Sequence, residues 1–338
     1  MRTKTSASLI GGFSSRLKMK AGIRLGTSLL FTIQLFILCG SSYGDSIYVS
    51  SGSDIVGQFD ESGNLVRHWN GSPLNGPTYL AFDSAGNLYV AGKFETVQRL
   101  DTVGNWSFFA QGAIVGTPQG LAFDPSGNLY AVDRFGRTVS KTDPTGHVST
   151  FKSWGGSDTS PNNQGLAFDA SGNMYVASAG DGAILKFSTS GGLSDFAYGS
   201  FRGLAFDSTG NLFAAEYTAA GGGHIMKFDP SGNGSLFASG FSFPNGLAFD
   251  SSANLFVVDS GVGDIIKFDA GGNRSVFAHL DGAFGVAIQT IPEPSGFALI
   301  NLGIATLLLL SKCGRCPREP GPMKPREGTR QRFMACWR

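Results

Sequence analysis

The sequence predicts an all-β fold: a six-bladed β-propeller of four-stranded blades, its ring closed by the C-terminal strand completing the N-terminal blade. Three observations carry this expectation. A signature Leu-Ala-Phe-Asp begins at Leu80, Leu121, Leu166, Leu204 and Leu247, with a degraded copy at Val286, so the unit returns after 41, 45, 38, 43 and 39 residues. A period of roughly 40 residues with several short strands per unit marks propeller blades rather than a helical solenoid. Glycine supplies 49 of 338 residues and charged side chains only 15%, the composition of many turns between short strands.

The third unit shows how one blade is laid out. Strands are expected over 120–124, 128–132, 137–142 and 147–152. Asp124-Pro125-Ser126-Gly127-Asn128 joins the first pair and Asp143-Pro144-Thr145-Gly146 the last, and near-copies of both turns recur along the chain. Asp or Pro early and Gly late suits a tight turn in which glycine takes the positive φ. The strands are continuous apolar runs rather than clean alternations, as expected when each sheet is buried on both faces.

The two ends of the array complement each other. Ser46-Ile47-Tyr48-Val49-Ser50 matches a second strand, and Phe284-Gly285-Val286-Ala287-Ile288 matches a first strand. The last strand can therefore complete the first sheet, giving six blades with no open edge.

Charge is divided into three zones. Residues 1–44 carry six Lys/Arg and no acid, residues 45–290 carry 22 Asp/Glu against 12 Lys/Arg, and residues 291–338 carry eight Lys/Arg against three Glu. The acidic central body is a poor partner for a phosphate backbone, so no nucleic acid is expected. The four cysteines, Cys39, Cys313, Cys316 and Cys336, all lie in the flanks. The central body must hold by burial alone, which a domain of its length can do. Cys313 and Cys316 have CxxC spacing but no second pair and no strand–helix context.

In the N-terminal flank, Arg16, Lys18, Lys20 and Arg24 precede the apolar run 29–38, and small or turn residues follow to Gly44. This is the pattern of a secretory signal peptide, expected to span 1–44 and be cleaved after Gly44. A retained anchor is the alternative. Met19 begins a segment of more ordinary signal length, and the bulky Leu38 before Cys39 argues against a lipoprotein.

At the other end Pro292, Glu293 and Pro294 stand before a mostly apolar stretch, 295–310, and the bases Lys312, Arg315 and Arg318 follow. The stretch is short but adequate for a thin membrane with basic flanks, with the basic side cytoplasmic. The order of P-E-P, apolar helix and basic cluster over 291–318 resembles the PEP-CTERM sorting signal of Gram-negative bacteria. That resemblance implies an exosortase-type processing enzyme as partner, transient membrane insertion through 295–310, and a final place at the cell surface or in the extracellular matrix. The basic tail 319–338 departs from the family pattern and reads as disordered.

The repeat P-x-G-L-A-F-D-x-x-G-N-L-Y-V-x-D over 45–290 resembles the NHL repeat and the related repeats of gluconolactonase-like and streptogramin-lyase-like propellers. The resemblance implies the fold; within it, activity ranges over binders, lactonases and lyases. The lactonase-like members place metal ligands, mostly Asn and Asp, just before the glycine that opens the first strand. The matching positions here are Thr78, Gln119, Gln164, Arg202, Asn245 and Phe284. Only Asn245 fits, no acid is present, and Arg202 disfavours a cation, which needs several oxygen ligands.

Candidate site residues collect on the face opposite the Asp-turns, where loops 154–164 and 217–224 vary in length. Trp154, Tyr217 and Phe243, with Phe94, Phe135, Tyr198 and Phe201, supply aromatic rings there; Arg202 and Asn245 lie beside the axis. Variable loops on a rigid scaffold are where binding concentrates. The rings are expected either to stack on a ligand or to fill gaps between loops. Asp133, Glu216 and Asp259 end second strands, either as a Ca²⁺ site at the channel mouth or as caps on loop N–H groups. Of the histidines, His68, His147, His224 and His279, only His224 with Glu216 offers an acid–base pair. The N-x-S triplets at Asn70, Asn105, Asn233 and Asn273 read as turn composition. The resulting expectation is an exported, non-catalytic binding or scaffold module for an extracellular glycan or protein, without a resident cofactor. A metal-dependent lactonase, hydrolase or lyase with a diverged site around Asn245, Asp259 and Glu216 is the alternative.

Overall fold

The computed structural model describes residues 44–93, 95–111, 116–155, 161–218 and 221–290. The expected signal sequence up to residue 43, the sorting segment and the tail lie outside the described residues.

Six four-stranded antiparallel sheets form the propeller, each ordered sequentially except the first. Blades two to six occupy 80–111, 118–153, 163–198, 201–241 and 244–279. Blade one combines 46–70 with the last strand, Ala283–Gln289. The closure expected from the two chain ends is therefore present, with Ile47 opposite Ile288 and Val49 opposite Val286. Side chains lock it. Ser51 Oγ donates to the Asp281 carbonyl at 2.6 Å, and Tyr48 Oη donates to Gln289 Oε1 at 3.3 Å. Gln289 Nε2 donates on to the Gly86 carbonyl in blade two, and the Asp45 carboxylate accepts from the Ser251 N–H in blade six.

Burial follows strand position. Every residue of the second strands Leu88–Gly92, Leu129–Asp133, Met174–Ser178 and Leu255–Asp259 is buried, whereas the outermost strand Leu65–Asn70 is mostly exposed. Six apolar clusters sit between blades. One of them joins Phe213 and Ala215 of blade five to Leu247, Leu255 and Val257 of blade six. The continuous apolar strands thus reflect sheets covered on both sides.

The repeated signature has a packing role at every position. Its Phe meets the second-strand aromatic of the preceding blade edge to face. The pairs are Tyr48–Phe82, Tyr89–Phe123, Tyr130–Phe168, Tyr175–Phe206 and Phe213–Phe249, with centroids 4.9–5.1 Å apart. Such pairs contribute about 0.5–1.5 kcal/mol each beyond area burial. At the sixth interface Phe256 and the partly buried Ile288 share one cluster. Lysines of the third strand also stand over second-strand aromatics, Lys141 over Tyr130, Lys186 over Tyr175, Lys227 over Phe213 and Lys267 over Phe256, at 5.2–5.7 Å.

The Asp of the signature belongs to the turn. Asp124 Oδ1 accepts the N–H groups of Ser126 and Asn128, while Oδ2 accepts Asn128 Nδ2 and Tyr130 Oη. Gly127 closes the turn with φ +80°. This capping removes Asp124 and Asn128 from the strands expected to include them, so the observed strands are Pro118–Phe123, Leu129–Asp133, Thr138–Thr142 and Val148–Ser153. The turn carboxylate is thus satisfied by its own hairpin.

Candidate functional site

The innermost strands meet around the axis through glycine. A Cβ on Gly120, Gly165, Gly203, Gly246 or Gly285 would collide with the backbone of the next blade's first strand; for Gly203 the obstacle is the Asn245 carbonyl. Blade two departs from this ring. Tyr79 occupies the place that glycine holds in the other five blades, and its phenol reaches across to donate to Asn245 Oδ1 at 2.9 Å. The Tyr79 ring also stands edge-on to Phe284, with centroids 5.6 Å apart. Burial raises the Tyr79 pKa, a shift opposed by the charges of Arg202 and Arg134. The phenol is therefore a neutral donor.

The axial positions are filled by side chains. Gln119, Gln164 and Asn245 are fully buried. Gln119 Nε2 donates to Gln164 Oε1 at 3.1 Å, Gln164 Nε2 donates to Asn162 Oδ1 at 2.7 Å, and Arg134 Nε reaches the same oxygen at 3.4 Å. Asn245 Nδ2 donates to Ser260 Oγ at 3.3 Å. The oxygen of the one residue matching the lactonase ligand pattern is thus already taken by Tyr79. With a hydroxyl, two amides, a guanidinium and a phenyl ring at the other positions and no carboxylate, this donor set does not fit a divalent cation.

Arg202, Tyr217 and Phe243 do come together. The Arg202 guanidinium lies 4.1 Å from the Phe243 ring centroid and 5.8 Å from that of Tyr217, and the two rings are 4.9 Å apart. All three are half-buried. Arg202 makes no hydrogen bond or ion pair with any described residue, and its Nε is buried without a partner. Burial lowers the Arg202 pKa, the Tyr79 phenol opposes that shift, and the charge of Arg134 adds to it. Trp154 is placed elsewhere: it stands against Phe187 at 5.4 Å and Nε1 donates to Asp181 Oδ2 at 3.4 Å, wedging blade three against blade four.

The three second-strand acids are used separately. Asp133 Oδ1 accepts the N–H groups of Thr117 and Phe135 at 3.0 and 3.1 Å. Asp259 accepts those of Ser242 and Phe243 at 2.8 and 2.6 Å, which sets the loop that carries the Phe243 ring. Glu216 lies opposite His224 in the strand register, with no hydrogen bond between the two side chains. Among the described residues no three His, Cys, Asp or Glu side chains group so as to hold a metal ion. The capping geometry foreseen as one of two readings describes Asp133 and Asp259.

Sequence reasoning missed Tyr79 and Arg134. Tyr79 had a signal, since Pro77-Thr78-Tyr79-Leu80 breaks a glycine position kept elsewhere in the chain. Arg134 had none, because it stands in a loop outside the repeat.

No protein-family model matches the chain, and no curated protein matches it by sequence. Solved structures resemble it in fold. A streptogramin B lyase is 12% identical with a TM-score of 0.56, covering 72% of this chain and 84% of its own. Virginiamycin B lyase from Staphylococcus aureus is 13% identical with a TM-score of 0.53, covering 73% of this chain and 89% of its own. A gluconolactonase from Xanthomonas campestris is 14% identical with a TM-score of 0.54, covering 62% of this chain and 78% of its own. At such identities the likeness establishes the propeller and nothing about activity.

Proposed function

We propose that the chain is an exported propeller acting as a non-catalytic binding module for an extracellular glycan or protein, with its ligand surface on the loop face around Arg202. The observation that carries this reading is the aromatic-flanked guanidinium of Arg202, which has no hydrogen-bond or ion-pair partner among the described residues, set beside axial positions that offer no carboxylate and whose one matching amide oxygen is taken by Tyr79. A guanidinium presents planar, directional donors, and aromatic rings offer stacking faces, so together they suit recognition. Export through the signal segment and sorting through Pro292, Glu293 and Pro294 complete the proposal. Its partner there is an exosortase-type enzyme, and its destination is the cell surface or matrix.

The lyase and lactonase titles of the structural neighbours keep a catalytic reading as the alternative. A glycan and protein binding screen of the full-length chain, with and without Ca²⁺, run beside lactone-hydrolysis assays with divalent cations, separates the two. Binding without turnover is expected; metal-dependent turnover would overturn the proposal. Sorting is tested separately by deleting residues 292–338, which should change surface retention. Unchanged fractionation would refute it.

A further inference from the structure

The loop face carries its arginine–aromatic arrangement twice. Arg202 lies over Phe243 and beside Tyr217. Arg134 lies 5.0 Å from the ring centroid of Phe135, a side chain 57% exposed. Neither arginine forms an ion pair among the described residues; the one Arg–carboxylate pair there is Arg137 with Asp181. Arg134 Nε and Gln164 Nε2 both donate to Asn162 Oδ1, and a Cβ on the next residue, Gly165, would meet the Arg202 carbonyl, so the two arginines stand on either side of one strand start. The charge of Arg134 accordingly acts on Arg202. This is unexpected in a body with 22 acids against 12 bases. Two like charges held near each other, each against an aromatic face and neither paired with a described carboxylate, favour a ligand that brings repeated negative charge.

Resting on the binding-module reading above, we propose that Arg202 and Arg134 receive carboxylates of one uronate-bearing glycan, with the Phe243–Tyr217 pair and Phe135 taking the apolar faces of its sugar rings. A guanidinium binds a carboxylate through paired, charge-assisted hydrogen bonds. A pyranose ring presents C–H groups on one face, which pack against an aromatic ring. A polyuronate repeats both features from sugar to sugar, matching the duplicated arrangement. An acidic peptide repeats the charge without the flat apolar face.

The test titrates the full-length protein with an oligogalacturonate, with the same oligomer methyl-esterified at its carboxylates, and with poly-glutamate. The oligogalacturonate should bind, with affinity falling as salt rises. The methyl ester should bind at least about tenfold more weakly, as should the Arg202→Gln and Arg134→Gln variants toward the free acid, reflecting a lost charge-assisted contact. Arg134→Gln alters a partly exposed side chain and decides the matter if Arg202→Gln fails to fold. Absence of oligogalacturonate binding, equal binding of the methyl ester, equal binding of poly-glutamate, or variants that bind like the parent would each overturn the inference. Binding of a neutral glycan without the oligogalacturonate would overturn this inference alone, whereas metal-dependent turnover would overturn the reading beneath it.

Discussion

Tyr79 Oη donates to Asn245 Oδ1 at 2.9 Å across the propeller axis, joining blade two to blade six through residues 166 positions apart. Five blades leave glycine at the place of Tyr79, and this one buried side chain occupies the oxygen of the one amide that matches a ligand pattern. Removing only the hydroxyl by Tyr79→Phe should leave a buried acceptor without its partner and cost about 1–3 kcal/mol. Tyr79→Gly, which restores the repeat residue, should cost more, about 3–5 kcal/mol, because it empties a buried aromatic site. Urea unfolding measures both. A Tyr79→Gly variant as stable as the parent would show that the Tyr79 side chain contributes nothing.

The glycine ring yields a paired prediction. Gly203→Ala would drive a Cβ into the Asn245 carbonyl, whereas a Cβ on the exposed Gly155 meets no described residue within 4 Å. Backbone must move in the first case, so Gly203→Ala should destabilise by about 1–3 kcal/mol or more, and Gly155→Ala should lie within about 0.5 kcal/mol of the parent. Thermal unfolding of the two variants, run together, checks this.

Closure of the ring is testable by truncation. Ending the chain after residue 290 keeps Ala283–Gln289 on Ser46–Ser51; ending it after residue 282 leaves Ser46–Ser51 as an open edge. The longer chain should unfold in one cooperative transition. The shorter one should melt at lower temperature and aggregate through the exposed edge. Equal melting temperatures would mean that closure does not hold the domain together.

The turn aspartates set an acid limit. Hydrogen bonds from the backbone N–H groups of Asn64 and Asn105 hold Asp60 and Asp101 below the usual carboxylate range. The side-chain amides of Asn233 and Asn273 do the same for Asp229 and Asp269. A carboxylate whose pKa is lower in the folded state stabilises fully above the unfolded pKa, about 4, and loses that contribution as pH falls through the folded value. The aspartate contribution should therefore be constant above about pH 5, and its loss should lower the melting temperature below about pH 4. His279 acts in the opposite sense. Asp264 and Asp281 raise its pKa through hydrogen bonds at 2.8 and 3.1 Å. Its stabilisation is present below the unfolded pKa, about 6.5, and fades as pH rises through the folded value. His279→Gln should remove any stability loss between about pH 6 and 8, which a pH series of melting curves would detect.

The fold was largely legible because the residues that build it recur. The Phe of the signature, the second-strand aromatic and the Asp–Asn turn each report a local job that the neighbouring blade repeats, and the register of Ile47 with Ile288 follows from matching the two chain ends. The site was legible only where the repeat points at it. Arg202 could be placed beside the axis from its position before Gly203, but the closeness of Phe243 and Tyr217 depends on loops outside the repeat. Trp154 looked equivalent to those rings in sequence, yet it follows an outer strand and packs on Phe187 between blades. Asp133 and Asp259 could read as metal ligands or as caps because a carboxylate suits both roles; only the placement of N–H groups from other loop residues distinguishes them.

Hydrogen–deuterium exchange of the full-length protein with and without oligogalacturonate tests most directly whether binding belongs to the loop face and the remainder is scaffold. Protection is expected in 133–136, 216–218 and 241–245, around Arg134, Tyr217 and Phe243, with the Asp-capped turns unchanged. Protection confined to those turns would contradict the assignment.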